Sequence, residues 1–202
     1  MVCIQVLTLF LLLSAYNIGI NMAAFKAALS LSSPSLTYAM SMLAKSYYVV
    51  LPALLLYMYF KKDMNVYSLA LAGVIFFLIS DTMKMLVREP RPCNTSEVLT
   101  TLNISKVACE STYAFPSNHA TVLTGLTLFI GKYKYIRAAY IIWLIVVLFG
   151  RVYLLAHYLT DVIAGIAISL LVGYIIYRYR SRINALINSV LKRIIPPLAV
   201  ER

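Results

Sequence analysis

The chain has 202 residues, 62% of them hydrophobic and 12% charged, with a mean hydropathy of +0.84. These values exclude an ordinary soluble domain and leave room for a single membrane-embedded domain, residues 1–202, of about six helices that each need about 20 residues to cross a bilayer. The net charge of +11 lies in short basic clusters between apolar runs, which fits anchoring against acidic lipid head groups and argues against a nucleic-acid partner.

Taken in chain order, the apolar stretches predict an all-α bundle with spans at about 2–21, 37–60, 65–87, 118–132, 136–155 and 158–178. Met1 to Leu13 has no leading Lys or Arg and no small-residue cleavage site, so it is expected as a retained first helix. No Gly or Pro separates Arg151 from Asp161, which leaves the boundary between the fifth and sixth helices weakly marked. Beyond the sixth, Ile183, Leu186, Ile187, Val190, Leu191 and Ile194 repeat on one helical face, the pattern of an amphipathic helix lying in the plane of the cytoplasmic surface, ended by Pro196 and Pro197.

With six spans, Lys61, Lys62, Lys132, Lys134, Arg137, Arg178, Arg180 and Arg182 fall on one side together with both termini, and the enrichment of cytoplasmic loops in Lys and Arg makes that side cytoplasmic. The segment around Ser32-Ser33-Pro34-Ser35 and the loop from Arg88 to Pro116 then lie outside or in a lumen. That loop holds the chain's two N-glycosylation sequons, at Asn94 and Asn103, flanked by Cys93 and Cys109, a pair open to disulfide formation in an oxidising compartment.

The polar residues at the outer helix ends are Lys84, Arg91, Ser117, His119, Arg151, His157 and Asp161. Ionisable groups at this depth are costly, so a cationic set with the chain's only two histidines marks a candidate anion site. On a continuous helix His157 and Asp161, four apart, share a face, and the carboxylate then fixes the imidazole tautomer and leaves the other nitrogen as a nucleophile. An ordinary surface pair is the competing explanation. Pro116-Ser117-Asn118-His119 opens the fourth helix, with Ser117 as N-cap and backbone N–H groups free for a phosphate. Lys84, Arg91 and Arg151 supply three cations, each of which alone would also suit head-group snorkelling.

In these residues the chain resembles the type 2 phosphatidic acid phosphatase superfamily of membrane lipid phosphatases. Three motifs carry the resemblance in order: Lys84, six residues, Arg91-Pro92; Pro116-Ser117-Asn118-His119; and Arg151, five residues, His157, three residues, Asp161. They span residues 84–161. Two positions depart from the family pattern: Asn118 stands for a usual glycine, adding a side chain beside the phosphate, and Gly150 stands for a common serine before Arg151. The resemblance implies a His157 nucleophile oriented by Asp161, a His119 acid, and phosphate binding by Lys84, Arg91, Ser117, Asn118 and Arg151, with no metal and no other cofactor. Glu89, Glu97 and Glu110 show no ligand spacing.

The implied partners are a lipid phosphate and the membrane itself. Among the family's substrates the outer location favours a polyprenyl diphosphate, undecaprenyl or dolichyl, the latter if the sequons reflect a glycosylating host; phosphatidate and phosphatidylglycerophosphate are the competing substrates. Lys45 inside the second span is a candidate for a second phosphate, or else an ion-pair partner of Asp81 or a snorkelling cation. A small transporter or channel would also account for Lys45, Asp81 and Lys84, but not for both histidines and the arginines gathering at one face. A vanadate-dependent relative is a remote alternative. The oligomeric state is not legible from the residues.

Overall fold

The computed structural model describes residues 18–105, 109–195 and 200. Its helices are α1 (Ile18–Leu29), α2 (Pro34–Lys45), α3 (Tyr47–Phe60), α4 (Asn65–Val87), α5 (Ser96–Thr101), α6 (Asn118–Leu126), α7 (Lys134–Tyr153) and α8 (Leu159–Ile194), with a 3-10 turn at Pro92–Asn94. Regular structure among the described residues is entirely helical. Among the described residues four stretches are long and apolar enough to cross a membrane: Pro34–Phe60, Asn65–Thr101, Lys134–Tyr153 and Leu159–Ile194. Side chains such as Val49, Phe60, Val74, Ile142, Leu171 and Tyr174 are more than half exposed around this bundle, the pattern of a lipid-facing belt. This is a multi-pass membrane protein.

Two predicted spans match closely, 65–87 as α4 and 136–155 as α7. Four differ. Most of the span at 2–21 lies outside the described residues, and the helix that is described, α1, runs on to Leu29. It packs over the end of the bundle that carries the start of α8, with Phe25 against Tyr158 at 5.8 Å between ring centroids and Asn21 bonded to Thr160. The span at 37–60 is two helices that part at Ser46, whose hydroxyl donates to the Leu43 carbonyl at 2.6 Å and accepts from Trp143 Nε1 at 2.8 Å.

The span at 118–132 is helical only to Leu126. There Thr127 turns its hydroxyl onto the Thr124 carbonyl at 2.6 Å, and the chain continues through short i to i−3 bonds at Thr127 and Phe129. The sixth span and the in-plane helix are instead one continuous helix, α8, of 36 residues and about 54 Å. No Gly or Pro interrupts it between Gly173 and Ile194. Its distal part also has a polar seat on the bundle, where Asn184 accepts from the Ser68 N–H at 3.0 Å and Asn188 accepts from the Tyr67 hydroxyl at 3.0 Å.

The bundle has a polar axis. At the start of α4, Asp63 accepts from the Tyr133 hydroxyl at 3.0 Å and pairs with Lys132 at 3.9 Å, so the two basic loops share one end. Lys84, 19 residues along α4, is then about 29 Å away, close to the thickness of a bilayer's hydrocarbon core. α4 ends at Arg88, whose left-handed φ of 55° and N–H bond to the Lys84 carbonyl close the helix before Pro90.

Helices α4, α6 and α8 pack closely because small residues sit where they cross. A Cβ on Gly125 would strike the Phe76 ring, and one on Gly165 would come within 2.8 Å of Ala120 Cβ and 3.0 Å of the Ser117 carbonyl. Gly165→Val should therefore lower the unfolding temperature in detergent, by a cost of about 1–3 kcal/mol. Gly73→Ala, with its nearest neighbour 4.0 Å away, should leave the melt unchanged. Thermal unfolding followed by Trp143 fluorescence checks both.

Candidate active site

At the end of the bundle opposite the basic loops lies a cavity of about 360 Å³ lined by Lys84, Arg91, Asn118, His119, Arg151 and His157, together with Glu110 and Thr112. Six of the eight sequence-predicted site residues thus face one space. The other two, Ser117 and Asp161, are wholly buried beside it, joined by a bond from the Ser117 N–H to the Asp161 carbonyl at 3.2 Å. The far wall is apolar and aromatic: Tyr47, Tyr48, Leu51, Phe77, Val122 and Leu123. Tyr48 and Phe77 are 68% and 52% exposed on the lipid-facing side, so the cavity borders the membrane.

His157 is not helical. The chain leaves α7 through Leu155 at φ 53°, while the N–H groups of Ala156 and His157 both bond the Arg151 carbonyl at 3.1 Å. α8 begins only at Leu159, and Asp161 takes its third position, where Oδ2 accepts the Tyr158 N–H at 2.8 Å. The expected pairing on one helical face is therefore replaced by a helix-start geometry that still holds Asp161 Oδ2 at 3.5 Å from His157 Nδ1. Arg91 Nη1 donates to the other nitrogen, Nε2, at 3.2 Å. A guanidinium only donates, so Nε2 carries the lone pair and faces the cations. Burial, followed by Arg151, Arg91 and Lys84, holds the His157 imidazole well below its usual pKa, which keeps the ring neutral.

His119 enters from the other side. Its Nε2 donates at 3.0 Å to the carbonyl of Ala44, one of the last four of α2 and so without a helical partner, and its ring stands edge-on to Tyr47 at 5.0 Å. The break at Ser46 supplies both contacts, and Nδ1 is left for the cavity.

Two of the three cations, Lys84 and Arg91, are fastened by backbone oxygens. Lys84 Nζ donates to the carbonyls of Tyr113 and Ala114 at 2.6 and 3.1 Å. Arg91 donates from Nε to the Thr112 carbonyl at 2.7 Å and from Nη1 to that of Ala156 at 2.8 Å. Glu110 bridges the two guanidiniums, each at 2.7 Å. Ser117 Oγ and Arg151 Nε are among the buried donors left without a hydrogen-bond partner in the described protein, which suits them to hold an anion. Ser117 occupies the cap position of α6, but its hydroxyl makes none of the expected capping bonds.

The two departures from the family pattern behave differently. Asn118 Oδ1 accepts the Ser80 hydroxyl, which ties this extra side chain to α4. The side-chain direction at Gly150 points to Met40 Sδ, 3.3 Å from an added Cβ, so a serine there would meet α2. Lys45 and Asp81 are both exposed, form no ion pair among the described residues and do not line the cavity. Sequence reasoning missed Glu110, and also Glu89, whose side chain meets that of Asp161. The only signal was negative charge within an otherwise basic loop. Cys93 and Cys109 are bonded, with Cα atoms 5.8 Å apart. No group of three or more His, Cys, Asp or Glu side chains among the described residues is arranged to hold a metal.

Residues 65–185 match the PAP2 superfamily. An undecaprenyl-diphosphatase of Sulfolobus acidocaldarius is 30% identical over 172 residues, covering 79% of this chain and 82% of that protein. Two crystal structures share the fold at a TM-score of 0.64. One is a PAP2-type phosphatidylglycerolphosphate phosphatase of Bacillus subtilis, 21% identical over 89% of this chain and 96% of that one. The other is Aquifex aeolicus LpxE, 22% identical over 79% and 96%. The motif order, the bundle and these matches together make the chain a member of the PAP2 superfamily, a PAP2-type phosphatase of the membrane.

Proposed function

We propose that this chain, acting as one domain over residues 1–202, removes a phosphate from a polyprenyl diphosphate, leaving the monophosphate, without a metal. The observation that carries the reading is the cavity itself, where two imidazoles and three fixed cations face an apolar wall that opens toward lipid. The polar head of a lipid phosphate fits the cationic side and its hydrocarbon the aromatic side. The choice of a diphosphate draws on the activity named for the Sulfolobus relative and on the outer-face topology inferred from the basic loops. In that topology six spans leave both termini in the cytoplasm and the cavity on the extracytoplasmic or lumenal side.

The chemistry follows from the two rings. His157 Nε2 attacks phosphorus, forming the P–N bond of a phosphohistidine as the P–O bond to the leaving group breaks. Asp161 stabilises the positive charge that develops on the ring, and His119, protonated on both nitrogens once the anionic substrate sits beside it, gives its Nδ1 proton to the departing oxygen and is left neutral. Water then attacks phosphorus with His119 as base, the P–N bond breaks, and inorganic phosphate is released. Lys84, Arg91, Arg151, Ser117 and the start of α6 at Asn118 hold the oxygens that carry the growing charge, the part a metal plays elsewhere.

Purified protein should release phosphate from polyprenyl diphosphates faster than from phosphatidate or phosphatidylglycerophosphate, and should do so in the presence of a chelator. His157→Ala should be silent and His119→Ala slower by about 10²- to 10⁴-fold. A wild-type preparation inactive on every lipid phosphate, or active only with added magnesium, would refute the reading.

Because burial and the neighbouring cations keep His157 unprotonated, kcat/KM should show no acid limb from this ring near its ordinary value of about 6.5. A pH profile measured from about 7.5 down to 5.5 tests this; a fall centred near 6.5 that persists in His119→Gln protein would mean that His157 titrates normally. Lys45→Met should leave the ratio of diphosphate to monophosphate turnover unchanged, since Lys45 does not line the cavity. A selective loss of diphosphate turnover would restore it as a second-phosphate contact.

A further inference from the structure

Glu110 occupies the place where an anion should sit. Its Oε2 lies 2.7 Å from Arg91 Nη2 and its Oε1 2.7 Å from Arg151 Nη2, so each carboxylate oxygen takes one guanidinium, as two oxygens of a phosphate would. The partners differ sharply in freedom. The arginine side chains are 2% and 4% exposed, while that of Glu110 is 53% exposed. The cations are thus fixed, and the anion lies at the rim on a side chain able to swing out.

The loop keeps that side chain close. Glu110 directly follows Cys109, which is bonded to Cys93, two residues beyond Arg91. The Cys93 N–H donates at 3.0 Å to the Leu155 carbonyl, beside the His157 turn. Both limbs of the loop are therefore pinned to the floor of the cavity, and a displaced carboxylate stays at high effective concentration. Burial raises the Glu110 pKa, but Arg151 and Arg91 outweigh it and hold the carboxyl below its usual range, so the group is ionised at neutral pH.

We propose that Glu110 is a resident competitor for phosphate: a tethered carboxylate that fills the Arg91–Arg151 fork in the free protein, yields it to the substrate, and returns to expel inorganic phosphate after turnover. The physical need is plain. A site with three buried cations and the start of a helix holds a multiply charged product tightly, and two guanidiniums this close repel each other when no anion lies between them. One mobile carboxylate answers both. It neutralises the fork and lowers the net affinity for phosphate by the free energy of its own two bonds.

The inference rests on the reading of this cavity as a phosphate site, and the experiment separates the two. Inorganic phosphate is titrated calorimetrically into the full-length wild-type and Glu110→Gln proteins in detergent, and its inhibition constant is measured against lipid hydrolysis. Glu110→Gln keeps the shape of the side chain and removes its charge, so it should bind inorganic phosphate more tightly, by about tenfold.

Unchanged or weaker phosphate binding, in a variant that melts with the wild type, would mean that Glu110 only shapes the fork, and would overturn the proposal. If Glu110→Gln does not fold, Glu110→Asp, too short to reach both guanidiniums, takes its place: tighter phosphate binding supports the competitor, and unchanged or weaker binding overturns it. A protein that hydrolyses no lipid phosphate yet gains phosphate affinity in Glu110→Gln sinks the phosphatase reading and leaves the competitor standing. Lipid hydrolysis by the wild type with no such gain does the reverse.

Discussion

Burying Lys84, Arg91 and Arg151 side by side at one end of a membrane bundle is the constraint on which the rest of the structure depends. Isolated charges at that depth cost several kcal/mol each, so every one of them needs fixed oxygens around it. The oxygens come from chain that is not helical: for Lys84 and Arg91 the carbonyls of Thr112, Tyr113 and Ala114 in the long loop and that of Ala156 in the turn before α8, and for Arg151 the Glu110 carboxylate of the same loop. The irregular segments are thus the shell that makes a cationic pocket tolerable, and irregular backbone at membrane depth is allowed where it lines a cavity.

The same requirement explains the broken helices. Parting α2 from α3 at Ser46 leaves the Ala44 carbonyl for His119, and ending α7 at Tyr153, before the left-handed Leu155, lets two N–H groups converge on the Arg151 carbonyl and presents His157 to the cavity. Each break gives up helical hydrogen bonds to orient one ring. The close crossing of α6 and α8 at Gly165 then brings Ser117 and Asp161 together behind the rings, so that a glycine with no polar side chain of its own sets the depth of the site.

Glu110 belongs to the charge balance of this pocket as much as to its chemistry. Two guanidiniums and one carboxylate leave a net positive pocket that still has room for a more highly charged anion. The half-exposed position of the carboxylate against the buried arginines makes it the group that gives way. The disulfide beside it ties this exchange to the loop that carries Arg91.

Much of this molecule was legible in its residues. Apolar length placed α4 and α7 to within about two residues, because about 20 apolar residues in a row have few alternatives to a spanning helix. Three spaced motifs named the eight residues of the candidate site, six of which line one cavity. What the residues did not reveal were interactions between segments distant in the chain. The break at Ser46 depends on Trp143, 97 residues away, and the full length of α8 on its asparagines meeting the start of α4. The His157–Asp161 relation looked like a helical i, i+4 pair, yet it arises from a turn and a capped helix start. Glu110 showed no signal beyond its charge, since a carboxylate in a loop acquires meaning only when two arginines distant in the chain close around it. Composition and periodicity are local and decide which segments enter the membrane. Where buried charges find their partners is a property of the packed bundle, and only tertiary structure decides it.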